Sequence, residues 1–355
     1  MSAESGKRPR RANDNNNNHE RERSAEEWAA IAEARLARKE QHSKRKEGKI
    51  NKHDPNCNRY KMVLSYEGLN FHGWQKQTLN GATLRTVEGV LEESLRPLLS
   101  QGVKFWPSGR TDAGVSATGQ VAQFDAVVED DGASLPAGAV TSWVETFNAA
   151  LPSDVRCLSV ATTHKSFAAN ECHWKRYVYR INGDGAAVLT GCLQMVGDPS
   201  WRNVAAGEPQ AASPALASAL DVDAMRSAAR VLVGTHDFAS FQSKGGRSTT
   251  VRTLHRCDVD LDGEGLRFTL EGEGFLYNMV RIIAGTLVQV GLGRGPANEH
   301  ASGGIGEGGG GREDGGPEGS IRAILEATDR ARAGPTAPAA GLCLEHVEYE
   351  RPWGQ

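Results

Sequence analysis

Three things are missing from this 355-residue sequence, and each closes off a class of function. No run of about 18 or more uninterrupted apolar residues occurs, so no helical membrane span and no membrane partner are expected. Met1 is followed by charged residues instead of an apolar leader segment, which points to an intracellular protein. The six cysteines, Cys57, Cys157, Cys172, Cys192, Cys257 and Cys343, lie far apart, with no C-x-x-C pair and no Cys/His cluster at zinc spacing. Reduced, mostly buried thiols are therefore expected, with no metal site.

A strong excess of one charge is also missing, since the formal net charge is only -3. The distribution is nevertheless uneven: residues 1 to 54 carry 14 Lys and Arg against 10 Asp and Glu, which leaves 27 against 34 elsewhere. Any nucleic-acid contact in the main body must then come from a local basic cleft. Residues 1–58 read as a charged, disordered tail too poor in apolar residues to offset chain entropy. One marginal helix is expected inside it, with Ser24 and Glu27 as a capping box. The basic start would suit a nucleus or an organelle, while the acidic residues from Glu20 onward are atypical of a transit peptide. The compartment stays open between nucleus, cytoplasm, chloroplast and mitochondrion.

Folded structure is expected from about Tyr60, where Tyr60, Met62, Leu64 and Tyr66 alternate along one strand face. Leu84, Val87, Val90, Leu91, Leu95 and Leu98 recur at helical spacing, which predicts an amphipathic helix over 83–99. A strand at 103–106 leads into GRTDAGVSATGQV, and VAQFDAVV resumes as a strand. A helix over 139–149, strands at 155–162 and 176–181, a helix after the N-cap Asp221 and strands at 251–261 and 265–271 follow. The last elements are a buried helix within 275–291, a helix from Ile321 and a strand at 342–349. Alanine-, serine-, proline- and glycine-rich stretches at 197–220 and 295–320 read as insertions. The division is thus a tail at 1–58, an N-terminal α+β domain at 59–155 and a C-terminal α+β domain at 156–355. Strand runs interrupted by single helices argue for an α+β fold whose helices cover one face of a mostly antiparallel sheet.

In FLYNMVRIIAGTLVQVG, apolar residues surround nearly the whole helix, so Arg281 is buried or lies on a cleft floor. A guanidinium there needs an anion. Asp112, in a glycine-bounded loop, is one candidate, and an adjacent Arg⁺ would lower its pKa. The alternatives are that Arg281 pairs with Glu273 or a carbonyl and that Asp112 makes an Asx-turn. On the residues alone both readings stay open.

GRTDAGVSATGQVAQF closely resembles the signature of the TruA-type tRNA pseudouridine synthases. Further resemblances follow in that family's order across most of residues 60–350. They are GWQKQ at 73–77, FNAALP at 147–152, KRYVYRI at 175–181, HDFASF at 236–241, FLYNMVRIIAGTLVQVG at 275–291 and AGLCLEHVEY at 340–349. The resemblance implies that Asp112 is the catalytic nucleophile, Arg281 its paired arginine, Tyr177 the ring that stacks on the target base, and Arg110 the residue that displaces the target nucleotide. It further implies two ferredoxin-like halves sharing a mostly antiparallel sheet, an active-site cleft between them, a homodimer, tRNA as partner and no small-molecule cofactor or metal. The expected reaction is isomerisation of uridine to pseudouridine in the anticodon stem-loop. Lys76, Lys175, Arg176 and Arg252 are candidate RNA-phosphate contacts, with ordinary solvated charge as the alternative. Two positions depart from the family pattern. Ser116 stands where many members have His, and Asn170 in FAAN stands where members have Arg, which removes one cation from the RNA side.

The chemistry suits these residue types. Breaking the N1–C1′ bond, turning the uracil and rejoining C5 to C1′ needs no redox change, and one carboxylate suffices, by attack on the sugar or by elimination to a glycal. The rival readings are a catalytically silent tRNA-binding protein or chaperone of the same fold, and a nucleoside hydrolase, which would release free uracil.

Overall fold

The structure, a computed structural model, describes residues 57–99, 103–127, 140–181, 220–263, 265–293 and 316–349. The tail with its capping box, Cys192 and nearly all of both expected insertions lie outside these residues. The first half runs β1 (Cys57–Tyr66), β2 (Thr78–Leu79), β3 (Ala82–Thr83), α1 (Val87–Leu95), β4 (Trp106–Pro107), β5 (Ser116–Val127), α2 (Val140–Ala150) and β6 (Val155–Thr163). The second runs β7 (Trp174–Ile181), α3 (Val222–Val231), β8 (Gly234–Asp237), β9 (Val251–Asp262), β10 (Gly265–Gly272), α4 (Met279–Gly291), α5 (Gly316–Ala327) and β11 (Leu342–Glu348).

One nine-stranded sheet passes through both halves in the order β6-β1-β5-β11-β7-β10-β9-β8, with β4 paired to β5. Its pairings are antiparallel except at the seam, where β5 and β11 run parallel. That parallel pairing is short, with Cys343 opposite Ser116 and Leu344 opposite Ala117. At the same seam a Cβ on Gly119 would lie 2.1 Å from the Glu345 carbonyl oxygen, so only glycine lets the two strands approach.

Alternation on β1 sorts its two faces. Tyr60, Met62, Leu64 and Tyr66 are buried, and Tyr60 stacks on Phe124 of β5 with ring centres 5.1 Å apart. Helix α2 covers this face through Trp143, 4.8 Å from Tyr60, and Phe147, 6.3 Å from Phe124. Helix α1 adds Val87, Leu91 and Leu95 to the same core. Each such side chain contributes about 1.5–3 kcal/mol by leaving water. The opposite face of β1 carries Arg59, whose guanidinium grips Asp125 at 2.7 and 2.8 Å and donates to the carbonyls of Lys165 and Phe167. In the second half α4 is buried nearly all round, packing against α3 and β7, while α3 also meets α5 and β9.

Several boundaries differ from expectation for identifiable reasons. Helix α1 begins at Val87 and not at residue 83, because Thr86 takes extended geometry and its hydroxyl accepts from Gly89 N, while Ala82 and Thr83 belong to a hairpin. Strand β1 starts at Cys57, inside the expected tail, because 57–59 continue the ladder to β5. Helix α5 starts at Gly316, so the last five residues of the expected 295–320 insertion are helical. Strand β8 had no sequence signal of its own; its four residues pair with the start of β9.

Candidate active site

The loop 108–115 between β4 and β5 is fixed through four of its eight carbonyls. Ser108 O accepts from Lys175 Nζ (2.7 Å), Gly109 O from Gln120 Nε2 (2.9 Å), Thr111 O from Trp74 N (3.0 Å) and Asp112 O from Val115 N (3.2 Å). Thr111 Oγ1 meets the Tyr66 hydroxyl at 2.8 Å in the interior. Burial pushes that phenol up to about 12, so it stays a neutral hydrogen-bonding group. Gly114 takes φ +81°, a left-handed turn that an L side chain would strain, and its N–H donates to Phe71 O. A Cβ on Gly73 would lie 2.9 Å from Thr111 O, which is why GWQKQ opens on glycine where the β1–β2 connection crosses the loop. With its backbone held at these points, the loop presents the Asp112 side chain, two-thirds covered, toward Arg281 of the other half.

Arg281 comes from the other half, near the start of α4. Its Nε donates to Ala337 O at 2.7 Å, its Nη1 donates to Asn278 Oδ1 at 2.8 Å, and the same Nη1 lies 4.0 Å from Asp112 Oδ2. Both sequence readings of Arg281 thus hold in part: it has a carbonyl partner and it faces Asp112. Asp112, for its part, closes its turn through its main-chain carbonyl. The direction of its pKa corrects the sequence expectation. Burial pushes the Asp112 carboxyl above the usual carboxylate range, and the Arg281 charge opposes this without overcoming it. Four ångströms is too long for a hydrogen bond, so the pair attracts across a gap while desolvation acts in full.

Tyr177, on β7, is nearly buried, with its ring edge-on to Phe275 at 5.0 Å. Its hydroxyl lies beside Gly109, burial raises its pKa, and the neighbouring Tyr66 and Asp112 raise it further. The phenol is therefore neutral beside the carboxylate. Arg110 is exposed and makes no ion pair with any described residue. Asp112, Arg281 and Tyr177 are thus brought together, with Arg110 at the rim.

The four candidate phosphate contacts fare differently. Lys76 pairs with Glu92, Arg176 Nε donates to Glu271 Oε1 at 2.7 Å, and Lys175 fastens the loop at Ser108 O. Arg252 is buried, and its Nη1 donates to the carbonyls of Thr249 and Val251, so its charge is turned inward. The sequence placed Asn278 on the Arg281 side of the helix but gave it no role, since it supplies no anion; it takes φ +61° without being glycine. Its side chain leaves its own helix uncapped, receives Arg281 at Oδ1 and donates from Nδ2 to Ser243 Oγ at 2.9 Å. Nothing in an isolated sequence marks a left-handed asparagine, although its place three residues before Arg281 was a signal. Gln120 was missed too, and its position in the middle of a strand concealed that it holds the loop.

Fold and site together define a class: an α+β enzyme in which a partly buried carboxylate from one half is opposed by an arginine from the other. Comparison with known proteins narrows this. A family model described as tRNA pseudouridine synthase matches residues 228–350. Proteins named tRNA pseudouridine synthase A are similar over most of the chain. The one from Geotalea uraniireducens (strain Rf4) is 37% identical over 291 residues, spanning 81% of this chain and 98% of the relative. That from Geobacillus kaustophilus (strain HTA426) is 38% identical over 299 residues, 82% of this chain and 95% of the relative. That from Anoxybacillus flavithermus (strain DSM 21510 / WK1) is 36% identical over 299 residues, 82% of this chain and 99% of the relative. The chain belongs to the tRNA pseudouridine synthase family.

Proposed function

We propose that this enzyme isomerises uridine to pseudouridine in tRNA, with Asp112 as the nucleophile. The observation that carries the reading is the placement of one partly desolvated carboxylate between Arg281 and Tyr177, in a loop anchored on both sides of it by backbone hydrogen bonds. A carboxylate held above its usual range is a better base and nucleophile once ionised, and Arg281 keeps the ionised form accessible. Asp112 adds to C1′ as the N1–C1′ bond breaks and the electron pair leaves with the uracil. The ring turns, C5 attacks C1′ as the Asp112–C1′ bond opens, and the C5 proton is then lost to solvent or a base. The elimination route differs in that Asp112 removes the sugar 2′ proton and a glycal forms. Tyr177 offers the apolar face for the turning ring, and its raised pKa keeps it from adding a second negative charge. Arg110, exposed two residues before Asp112, supports nucleotide displacement from the stack.

The target uridine is placed in the anticodon stem-loop and the assembly is read as a homodimer, both on the family resemblance; sedimentation of the purified chain tests the second. The first is tested by base-resolution pseudouridine mapping of an unmodified tRNA pool treated with wild type or Asp112→Asn. Signal in the anticodon stem-loop that the variant abolishes is expected. No signal from wild type, with tRNA still bound, would favour the silent binding protein, and free uracil would favour the hydrolase.

A further inference from the structure

All four basic residues that the sequence offered for RNA contact are engaged within the protein, so cations besides Arg110 that could meet substrate are sought elsewhere. The turn 243–247, SKGGR, supplies them. Lys244 and Arg247 are both exposed, and neither side chain has an ion pair or hydrogen bond with a described residue. The turn is preformed: Gln242 donates from Nε2 to Arg247 O at 3.1 Å and accepts from Arg247 N at 3.0 Å. Gly245 takes φ +82°, and a Cβ on Gly246 would collide with the Gln242 side chain at 2.2 Å. Both glycines are therefore needed for the shape. Beside the turn stands Tyr277, 49% exposed, whose carbonyl accepts from Ser243 N at 3.1 Å.

The turn is also wired to the site. Ser243 Oγ accepts from Asn278 Nδ2, Asn278 Oδ1 accepts from Arg281 Nη1, and Arg281 faces Asp112. Two unpaired cations beside an exposed aromatic ring are the elements with which proteins hold unpaired nucleic-acid strands. We propose that the turn 243–247 and Tyr277 form an RNA-contact surface next to the active site. Lys244 and Arg247 take consecutive phosphates, and Tyr277 takes the face of an unpaired base flanking the target. This rests on the reading of the enzyme as acting on tRNA. It also assigns Asn278 as a positioning residue, because strand binding at Ser243 would press on the same asparagine that aims Arg281.

The test is equilibrium binding of an unmodified tRNA transcript to the full chain between about 50 and 200 mM salt, run beside the pseudouridine assay. Lys244→Ala/Arg247→Ala is expected to weaken binding at least about tenfold at the low-salt end and to reduce the slope of log K against log salt by about two. Tyr277→Ala is expected to weaken binding about tenfold with the slope unchanged, and Tyr277→Phe to bind like wild type. Melting curves identify any variant that fails to fold; these side chains are on the surface. If wild type binds and modifies tRNA while the double variant and Tyr277→Ala bind as it does, the surface is wrong and the reading of the enzyme stands. If wild type neither binds nor modifies tRNA, both are overturned.

Discussion

Asp112 works against the stability of its own fold. For a carboxyl whose folded pKa is raised, the unfolded chain gives up its proton first as pH rises from about 3.9. Stability therefore falls between the unfolded and folded values and stays reduced above them. Asp112→Asn removes this cost, so the variant should melt higher than wild type at pH 7, and the difference should close as pH approaches about 4. Equal melting temperatures at both pH values would mean that desolvation does not dominate. Arg281 can be separated into charge and fork. Arg281→Lys keeps the charge but cannot reach Ala337 O, Asn278 Oδ1 and Asp112 together, so turnover should fall about a hundredfold with the acid limb of the pH profile in place. Arg281→Gln should lose as much and also move that limb to higher pH, since the charge that opposes desolvation is gone. Asp112 and Arg281 stood out in the sequence because an acid in a glycine-bounded loop and a base in an otherwise apolar helix are out of place, but the residues alone left their pairing open and their roles came from the family resemblance. The sign of the Asp112 shift was not, since it depends on how deep the carboxyl sits against a charge four ångströms away.

At the scale of the element, α4 carries one half of the site and depends on a glycine. A Cβ on Gly285 would lie 2.1 Å from Pro335 O, and Pro335 leads into Ala337, the acceptor for Arg281 Nε. Gly→Ala inside a helix would by itself gain up to about 1 kcal/mol. Here the clash is with backbone, which cannot turn away, and overpacking of this kind costs about 1–3 kcal/mol. Gly285→Ala should therefore lower the melting temperature and turnover together, as read by calorimetry and a single-turnover assay; a stabilised, fully active variant would show that the 335–337 segment yields freely. Most strands and the buried helix were legible because alternation and helical periodicity are local. The start of α1 and the four-residue β8 were not, because a cap hydroxyl and a short edge pairing override or lack a periodic signal.

At the scale of the molecule, the least legible feature was the seam. The sequence suggests two α+β halves and an antiparallel sheet, but no local pattern announces that β11 is inserted between β5 and β7, parallel to one and antiparallel to the other. This placement gives the protein a built-in order of assembly. On the ribosome, β5 and β7 emerge long before β11, and until it arrives each keeps an open edge in the middle of what will become one sheet. A stop codon just before Leu342 should therefore yield a chain that aggregates on expression and forms no pseudouridine, even though Asp112, Tyr177 and Arg281 are all present; a soluble, active product would overturn this. A chain cut short of that strand could neither close the sheet nor hold Asp112 and Arg281 against each other, so the seam makes the meeting of the two catalytic charges conditional on the last strand among the described residues.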